Sequence, residues 1–262
     1  MGSKLICQNI ANYLKKKASI GTTQANGNCL FHSMMVFKAD PIIRTKCKLT
    51  ISQLRQWVSE KFTLESYESD EYIRLTIGLW KSMFEDAYIS RDFGEISYYS
   101  FIGPVCPFLP PTDGMKLRID ELEEKKEKTE EECETLKVFK EYYQRDSELV
   151  NIEKSMQMMS DIVKLPSFWG EEISIRAILE KLTQLMERPV CILVISNAYT
   201  QNITITPMYS QNFEGNEAIA VYTHIYYNGG HYQPIQVENE LLHTIDTLSP
   251  VVFQHLKIKQ AE

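Results

Sequence analysis

Asn26-Gly27-Asn28-Cys29-Leu30-Phe31-His32-Ser33 carries the strongest structural signal in the chain, because it brings a cysteine to the start of a helix. Leu30-Phe31 and Met34-Met35 repeat at helical spacing, which predicts that a helix begins at or near Cys29. Gly27, between two asparagines, favours a tight turn. A thiol in the first turn of a helix lies at the positive end of the dipole, which favours a nucleophilic thiolate. The alternative is an inert, buried cysteine after an ordinary turn.

A second motif lies near the other end of the chain, at Tyr226-Tyr227-Asn228-Gly229-Gly230-His231-Tyr232. The run 218–227 is rich in β-branched and aromatic residues, which predicts a strand, and 228–230 predicts a turn. His231 then opens a short strand, where it is held rigidly and is reachable by solvent. A reactive thiol needs such a base within hydrogen-bond reach, even when the two are distant in sequence.

The two motifs together resemble the ovarian tumour (OTU) family of cysteine proteases, most of which are deubiquitinases. Residues 26–31 are similar to the family signature Asp-Gly-Asn-Cys-Leu-Phe, and 228–232 to its strand–turn–His-Tyr element. Between them, residues 169–172 resemble the family's Trp-Gly-Gly-Glu block at the start of a helix. The resemblance implies a mixed α/β (α+β) fold of the papain-type cysteine protease kind, with a central sheet between helical layers. It implies Cys29 as the nucleophile and His231 as the base.

The residue that orients the base is less closely specified. Asn26 stands where the family usually has Asp, and it contributes either a backbone N–H group to an oxyanion hole or a side chain to the histidine. Gln233 follows His231 by two positions, so both side chains point to the same side of a strand, and its amide oxygen can accept from the imidazole. We expect Gln233 to orient the base, with Asn26 and then Asp246 as the alternatives.

Other prominent side chains have structural interpretations. His32 lies too close in sequence to Cys29 to approach its sulfur productively, and it is interpreted as a helix-surface residue. His224 lies inside the predicted strand and is interpreted as a packed or exposed strand histidine. Trp169 is expected to support the catalytic helix or the base by packing.

Composition limits the class of protein. The chain has 262 residues with 44% hydrophobic content, enough for one substantial core and an appended lobe. The longest apolar run, 189–195, fits a buried strand and is too short for a membrane span. The N-terminus lacks the apolar core of a signal peptide. The formal charge of −7 disfavours nucleic acid as a partner.

The cysteine pattern predicts a reducing, cytoplasmic environment and no bound metal. The 6 cysteines are scattered without a Cys-x-x-Cys pair, which argues against structural zinc and against a disulfide framework. Neither a His-Glu-x-x-His pattern nor a phosphate-binding loop is present, so no cofactor is expected.

Periodicity places helices mostly before strands. Helices are predicted at 8–17, 29–37, 50–62, 71–88 and 173–186; strands are predicted at 190–195, 203–208 and 218–227, from 231, and near 251. Four prolines between 102 and 111 break regular structure and mark a lobe boundary.

The catalytic core is predicted in two parts, 1–112 and 164–262, separated by an inserted helical lobe at 113–163. Residues 120–134 carry nine acidic and three basic side chains, which is either a solvated helix face or part of a functional surface. Aromatic and methionine residues follow at helical spacing, among them Phe139, Met156 and Met159. They supply either a partner-binding surface or internal packing. Such lobes resemble those of bacterial effector members of the OTU family, which would act in the cytosol of a host cell.

The resemblance implies a deubiquitinase that cleaves isopeptide bonds in ubiquitin conjugates through a ubiquitin thioester on Cys29. Ubiquitin or a polyubiquitin chain is the expected partner, and a monomer is the expected state. One alternative is an OTU-like module that binds ubiquitin without hydrolysing its conjugates, because neither Asn26 nor Gln233 is a carboxylate. Another alternative is a cysteine protease acting on a ubiquitin-like modifier or an ordinary peptide.

Overall fold

A computed structural model of the protein describes residues 2–24, 27–78, 113–143, 152–166, 168–200 and 202–256. The chain divides into two compact units. The first comprises Met1–Leu54 together with Gly170–Glu262, and the second comprises Arg55–Trp169.

The first unit contains all the strands that the structure describes, together with the helices that flank them. Its helices and strands are α1 (Gly2–Leu14), β1 (Ala18–Ile20), α2 (Cys29–Met34), α3 (Pro41–Lys46), the start of α4 (Ile51–Ser59), α10 (Glu172–Met186), β2 (Val190–Ser196), β3 (Thr204–Tyr209), β4 (Val221–Tyr227), β5 (Tyr232–Val237) and α11 (Pro250–Leu256). Short 3-10 helices lie at Met35–Ala39, Glu217–Ile219 and Ile245–Thr247.

The strands form one five-stranded mixed sheet in the order β1-β5-β4-β2-β3. Strands β2 and β4 are parallel, with Val190 opposite Val221, and the other neighbouring pairs are antiparallel. The sheet joins distant parts of the sequence, because β1 near the N-terminus pairs with β5 near the C-terminus. Ala18 lies opposite Val237 and Ile20 lies opposite Ile235. This pairing brings the segment after β1 alongside the start of β5.

Both faces of the central strands are buried. On one face, Leu193 of β2 and Tyr222 of β4 join a core with Ile10 and Leu14 of α1 and with Val252 of α11. Alternate residues of the same strands point to the opposite face, and Val190, Ile192 and Ile225 are buried there as well. The predicted mixed α/β fold, with a central sheet between helical layers, is therefore confirmed.

The second unit is helical in every segment that the structure describes. Besides the remainder of α4, it contains α5 (Leu64–Ser69), α6 (71–78), α7 (Asp113–Glu124), α8 (Glu130–Tyr143) and α9 (Ile152–Lys164). Helix α8 packs against α7 and α9. Phe139, Met156 and Met159 are each 1% exposed or less, so their interpretation as a partner-binding surface is wrong and they serve internal packing. The boundaries proposed for an inserted lobe, 113–163, remain a prediction.

The largest error in the predicted elements is the strand expected near Val251, which is helix α11. Two adjacent valines favour a strand by propensity, but Pro250 is suited to the first turn of a helix. The Val252 N–H group donates to the carbonyl of Ser249, and Val252 and Leu256 bury one side of the helix at i, i+4 spacing. The prolines at 102–111 and the predicted helical residues 79–88 lie outside the described residues.

Candidate active site

Helix α2 begins at Cys29, as the sequence predicts. Asn28 is its N-cap residue, and the Asn28 carbonyl accepts from the His32 N–H group at 2.7 Å. The Ser33 hydroxyl donates to the carbonyl of Cys29 at 2.9 Å, a bond within the helix that helps to hold its first turn. Cys29 is 2% exposed. The thiol therefore lies in the first turn of the helix and is buried there.

Gly170 lets α2 lie close to the chain that leads into α10. A Cβ atom at position 170 would lie 2.5 Å from Leu30 Cδ2 and 3.2 Å from both Leu30 Cβ and Phe31 Cε2. Leu30 and Phe31 are both 0% exposed, so neither side chain has space to move aside. The glycine of the Trp-Gly pair is thus required by close packing against the residues that follow Cys29.

The turn at 228–230 fixes His231 at the entrance to β5. Gly229 has φ of +93°, a conformation that glycine adopts without strain. The Gly230 N–H group donates to Asn228 Oδ1, and the Asn228 N–H group donates to the His231 carbonyl, each at 3.2 Å. Strand β5 begins one residue later, at Tyr232, whose ring stacks on Tyr227 with centroids 4.6 Å apart.

The His231 imidazole is held by a residue that the sequence did not single out. Thr23 Oγ1 lies 2.9 Å from His231 Nε2, and the same hydroxyl donates to the Tyr232 carbonyl at 2.7 Å. His231 Nδ1 is buried and has no hydrogen-bond partner among the described residues. Desolvation lowers the pKa of His231, and hydrogen bonding to the backbone of Thr23 opposes that shift in part.

Helix α2 packs against strand β5. The helix that starts at Cys29 and the strand that follows His231 are therefore direct neighbours, although their sequences lie near opposite ends of the chain. Nucleophilic catalysis by a thiol needs a base within hydrogen-bond reach, and the packing of α2 against β5 places the helix that begins at Cys29 next to the strand that follows His231.

Gln233 lies one step away from the imidazole in the hydrogen-bond network. Its side-chain amide donates to the Gly21 carbonyl at 3.0 Å, and the hydrogen bond expected from Gln233 at the imidazole is made by Thr23. Asp246 lies exposed in the 3-10 helix Ile245–Thr247. Asn26 lies outside the described residues, so its role remains a prediction.

The other histidines singled out from sequence lie apart from this network. His32 is half-buried near the end of α2. His224 is 1% exposed and packs edge-to-face against His243, with ring centroids 5.1 Å apart. Neither ring nitrogen of His224 has a hydrogen-bond partner among the described residues. Desolvation, with a smaller effect of His243, lowers the pKa of His224 to about 3, so this histidine is a neutral core residue.

Within the described ranges, no three side chains of the types His, Cys, Asp or Glu come together in a group that could hold a metal ion. No disulfide links Cys7, Cys29, Cys47, Cys133 or Cys191. None of the described helices is both long and apolar enough to cross a bilayer.

Comparison with known proteins finds a structural likeness and no match in sequence. No protein-family model matches the chain, and no curated protein matches its sequence. A solved structure of an ovarian tumour (OTU) domain in complex with ubiquitin is similar over 91% of this chain and 81% of that one, at 13% identity and a TM-score of 0.35. A likeness at this level establishes neither the fold nor the function, which depend on the contacts described above.

Proposed function

We propose that the protein is a cysteine-type isopeptidase that removes ubiquitin from conjugates, with Cys29 as the nucleophile and His231 as the general base. The observation that carries this proposal is the packing of α2 against β5, because it makes neighbours of the helix that begins at Cys29 and the strand that follows His231. The start of α2 at Cys29 and the partnerless Nδ1 of His231 support it further. The choice of ubiquitin comes from the resemblance of residues 26–31, 169–172 and 228–232 to OTU motifs.

The first half of the reaction forms a thioester. The Cys29 thiol gives its proton to His231, and the thiolate attacks the carbonyl carbon of the ubiquitin C-terminal glycine. Backbone N–H groups at 26–29 stabilise the negative oxygen of the tetrahedral intermediate. As the intermediate collapses, the bond to the lysine ε-nitrogen breaks, and His231 returns the proton to the departing amine.

The second half releases ubiquitin. His231 takes a proton from water while the water oxygen attacks the thioester carbonyl. The carbon–sulfur bond then breaks, which frees the ubiquitin carboxylate, and the proton on His231 is available to the Cys29 sulfur. The cycle consumes one water molecule and leaves both residues in their starting forms.

The second candidate is a module that binds ubiquitin without hydrolysing conjugates. It is favoured by one observation: the hydrogen bond at His231 Nε2 is with the neutral hydroxyl of Thr23, and no described carboxylate bonds this imidazole. A hydroxyl stabilises an imidazolium less than a carboxylate does, so the thiolate–imidazolium pair forms less readily.

A ubiquitin probe with a C-terminal electrophile, followed by intact-mass analysis, separates these possibilities. We expect covalent labelling of the wild type that is lost in Cys29→Ala and strongly slowed in His231→Ala. Cys133 is an exposed thiol on α8, so Cys133→Ala is the matched control and should label like the wild type.

Diubiquitin cleavage is measured in parallel. Binding of diubiquitin without labelling or cleavage would establish the module instead. Failure to bind or react with ubiquitin, together with labelling by a probe built on a ubiquitin-like modifier, would exclude ubiquitin as the substrate.

A further inference from the structure

The segment after β1 is tied to the first residues of β5 by several hydrogen bonds. The Gly21 N–H group donates to the Pro234 carbonyl at 2.8 Å, and the Gln233 amide donates to the Gly21 carbonyl at 3.0 Å. A Cβ atom at position 21 would lie 2.8 Å from Pro234 Cγ, so the Gly21 backbone lies directly against the Pro234 ring. Thr23, two residues further on, is therefore held against the start of β5.

The hydrogen atom of the Thr23 hydroxyl can be assigned from its contacts. The hydroxyl has one proton, and the Tyr232 carbonyl 2.7 Å away can only accept, so the proton points to Tyr232. The same oxygen lies 2.9 Å from His231 Nε2 and has only lone pairs left to offer. Nε2 must therefore carry a hydrogen and donate it to Thr23.

The opposite ring nitrogen follows from this assignment. In a neutral imidazole only one nitrogen is protonated, so Nδ1 of His231 presents a lone pair. The structure leaves Nδ1 buried and without a partner among the described residues. A lone pair in that state is what a base needs to receive the proton of a neighbouring thiol.

We propose that Thr23 is the positioning residue of the active site, holding His231 in the tautomer whose Nδ1 accepts the Cys29 proton. The Tyr232 carbonyl is also needed, because it accepts the only hydroxyl proton of Thr23, which could otherwise be donated to the imidazole. The catalytic consequence rests on the proposed isopeptidase function, whereas the tautomer can be tested without it. Gln233 acts indirectly, by holding Gly21 and hence the Thr23 segment.

Two substitutions at position 23 separate the effect of the hydroxyl group from the effect of the shape of the threonine side chain. Thr23→Val keeps the branched side chain and removes the acceptor, while Thr23→Ser keeps the hydroxyl. The matched control is Thr22→Val, at an exposed neighbour whose side chain makes no hydrogen bond within the described part of the chain. Ubiquitin-probe labelling and diubiquitin cleavage give the rate, and the pH profile of the rate gives the ionisation of the Cys29–His231 pair.

We expect Thr23→Val to lower kcat about 10- to 100-fold with little change in KM, by analogy with the loss of the hydrogen-bond partner that orients a metal-binding histidine. The alkaline limb of the Thr23→Val pH–rate profile, where the His231 imidazolium loses its proton, should move to lower pH by about one unit. Thr23→Ser and Thr22→Val should keep the wild-type profile. A Thr23→Val rate and profile equal to those of the wild type would overturn the proposal.

Nitrogen-15 NMR of the imidazole provides a test that needs no activity and no variant at position 23. In Cys29→Ala, His231 at neutral pH should show a protonated Nε2 and an unprotonated Nδ1. A protonated Nδ1 overturns the proposal even if the protein is an active isopeptidase. If the expected tautomer is found but the wild-type protein neither labels nor cleaves, the isopeptidase function fails while the structural assignment of Thr23 stands.

Discussion

Replacing Gly170 by Ala tests whether the position of α2 depends on close packing. The new Cβ atom would lie 2.5 Å from Leu30 Cδ2, roughly 0.9 Å inside the 3.4 Å at which ordinary contact begins. Rotating Leu30 away does not relieve the clash, because its Cβ atom and Phe31 Cε2 are also only 3.2 Å away and both side chains are fully buried. The helix must shift by several tenths of an ångström or more.

We expect Gly170→Ala to lower the free energy of unfolding by about 1–3 kcal/mol, the usual cost of overpacking a core. The shift also moves Cys29 relative to His231, and a misplacement on the order of 1 Å costs up to ~10²-fold in rate. Urea denaturation measures the first effect, and ubiquitin-probe labelling under fully folded conditions measures the second. The control is Gly78→Ala in α6, where a Cβ would meet no atom of the described residues within 4 Å and helix propensity predicts a gain of about 0.5–1 kcal/mol in the free energy of unfolding.

The two glycine substitutions are thus expected to change the free energy of unfolding in opposite directions. Gly170→Ala with wild-type stability and labelling, or with the same small gain as Gly78→Ala, would refute the packing argument. A double-mutant cycle with Leu30→Val checks the contact directly, because the shorter side chain relieves part of the overlap. Strict additivity of the two changes would mean that Leu30 does not oppose the new methyl group.

His224→Phe should flatten the dependence of the free energy of unfolding on pH. In the wild type the folded-state pKa of His224 is about 3, below its ordinary 6.5, so the unfolded state binds a proton that the folded state does not. The wild type therefore loses stability as pH falls from 6.5 towards 3, with a slope of up to ~1.4 kcal/mol per pH unit. Denaturation at pH 5 and 7.5 measures this, and an unchanged slope would contradict it. Arg55→Lys should lower the free energy of unfolding by about 2–4 kcal/mol. The buried Arg55 guanidinium donates to the carbonyls of Val163, Pro166 and Phe168 at 2.7, 3.0 and 2.8 Å, and a lysine ammonium lacks the planar arrangement of donors that makes these bonds together. The exposed Arg118→Lys is its control, and equal unfolding free energies for the two variants would refute the reasoning. Thr23→Asp should move the alkaline limb of the rate profile to higher pH, because a carboxylate favours the His231 imidazolium; a shift to lower pH would contradict this.

The elements that carry the site were predictable because their signals are local. The start of α2 at Cys29 follows from a glycine turn and the apolar spacing behind it, and β4 follows from a β-branched and aromatic run. Helix α10 also carries its own start signal, since the Glu171 N–H group donates to Ser174 Oγ at 3.4 Å. Prediction failed at α11, where proline placement and packing outweighed the strand propensity of two valines.

The partner of His231 was beyond sequence reasoning for a different reason. Strand β1 is three residues long, too short to leave a periodic pattern, yet its pairing with β5 brings Thr23 to the imidazole. Gln233 has the right spacing for a contact with His231, but its side chain is directed to Gly21, where its NH2 group donates to the carbonyl. Side-chain spacing along a strand restricts which residues share a face and does not decide which acceptor lies nearest.

Local sequence was enough to predict that a thiol opens a helix and that an imidazole follows a glycine turn, because each feature depends on residues within a few positions of it. The meeting of these elements, and the bond from the His231 ring to Thr23, 208 residues away, could be seen only in the folded protein. Hydrogen bonds between distant segments depend on strand pairing and helix packing, and these are set by the core as a whole.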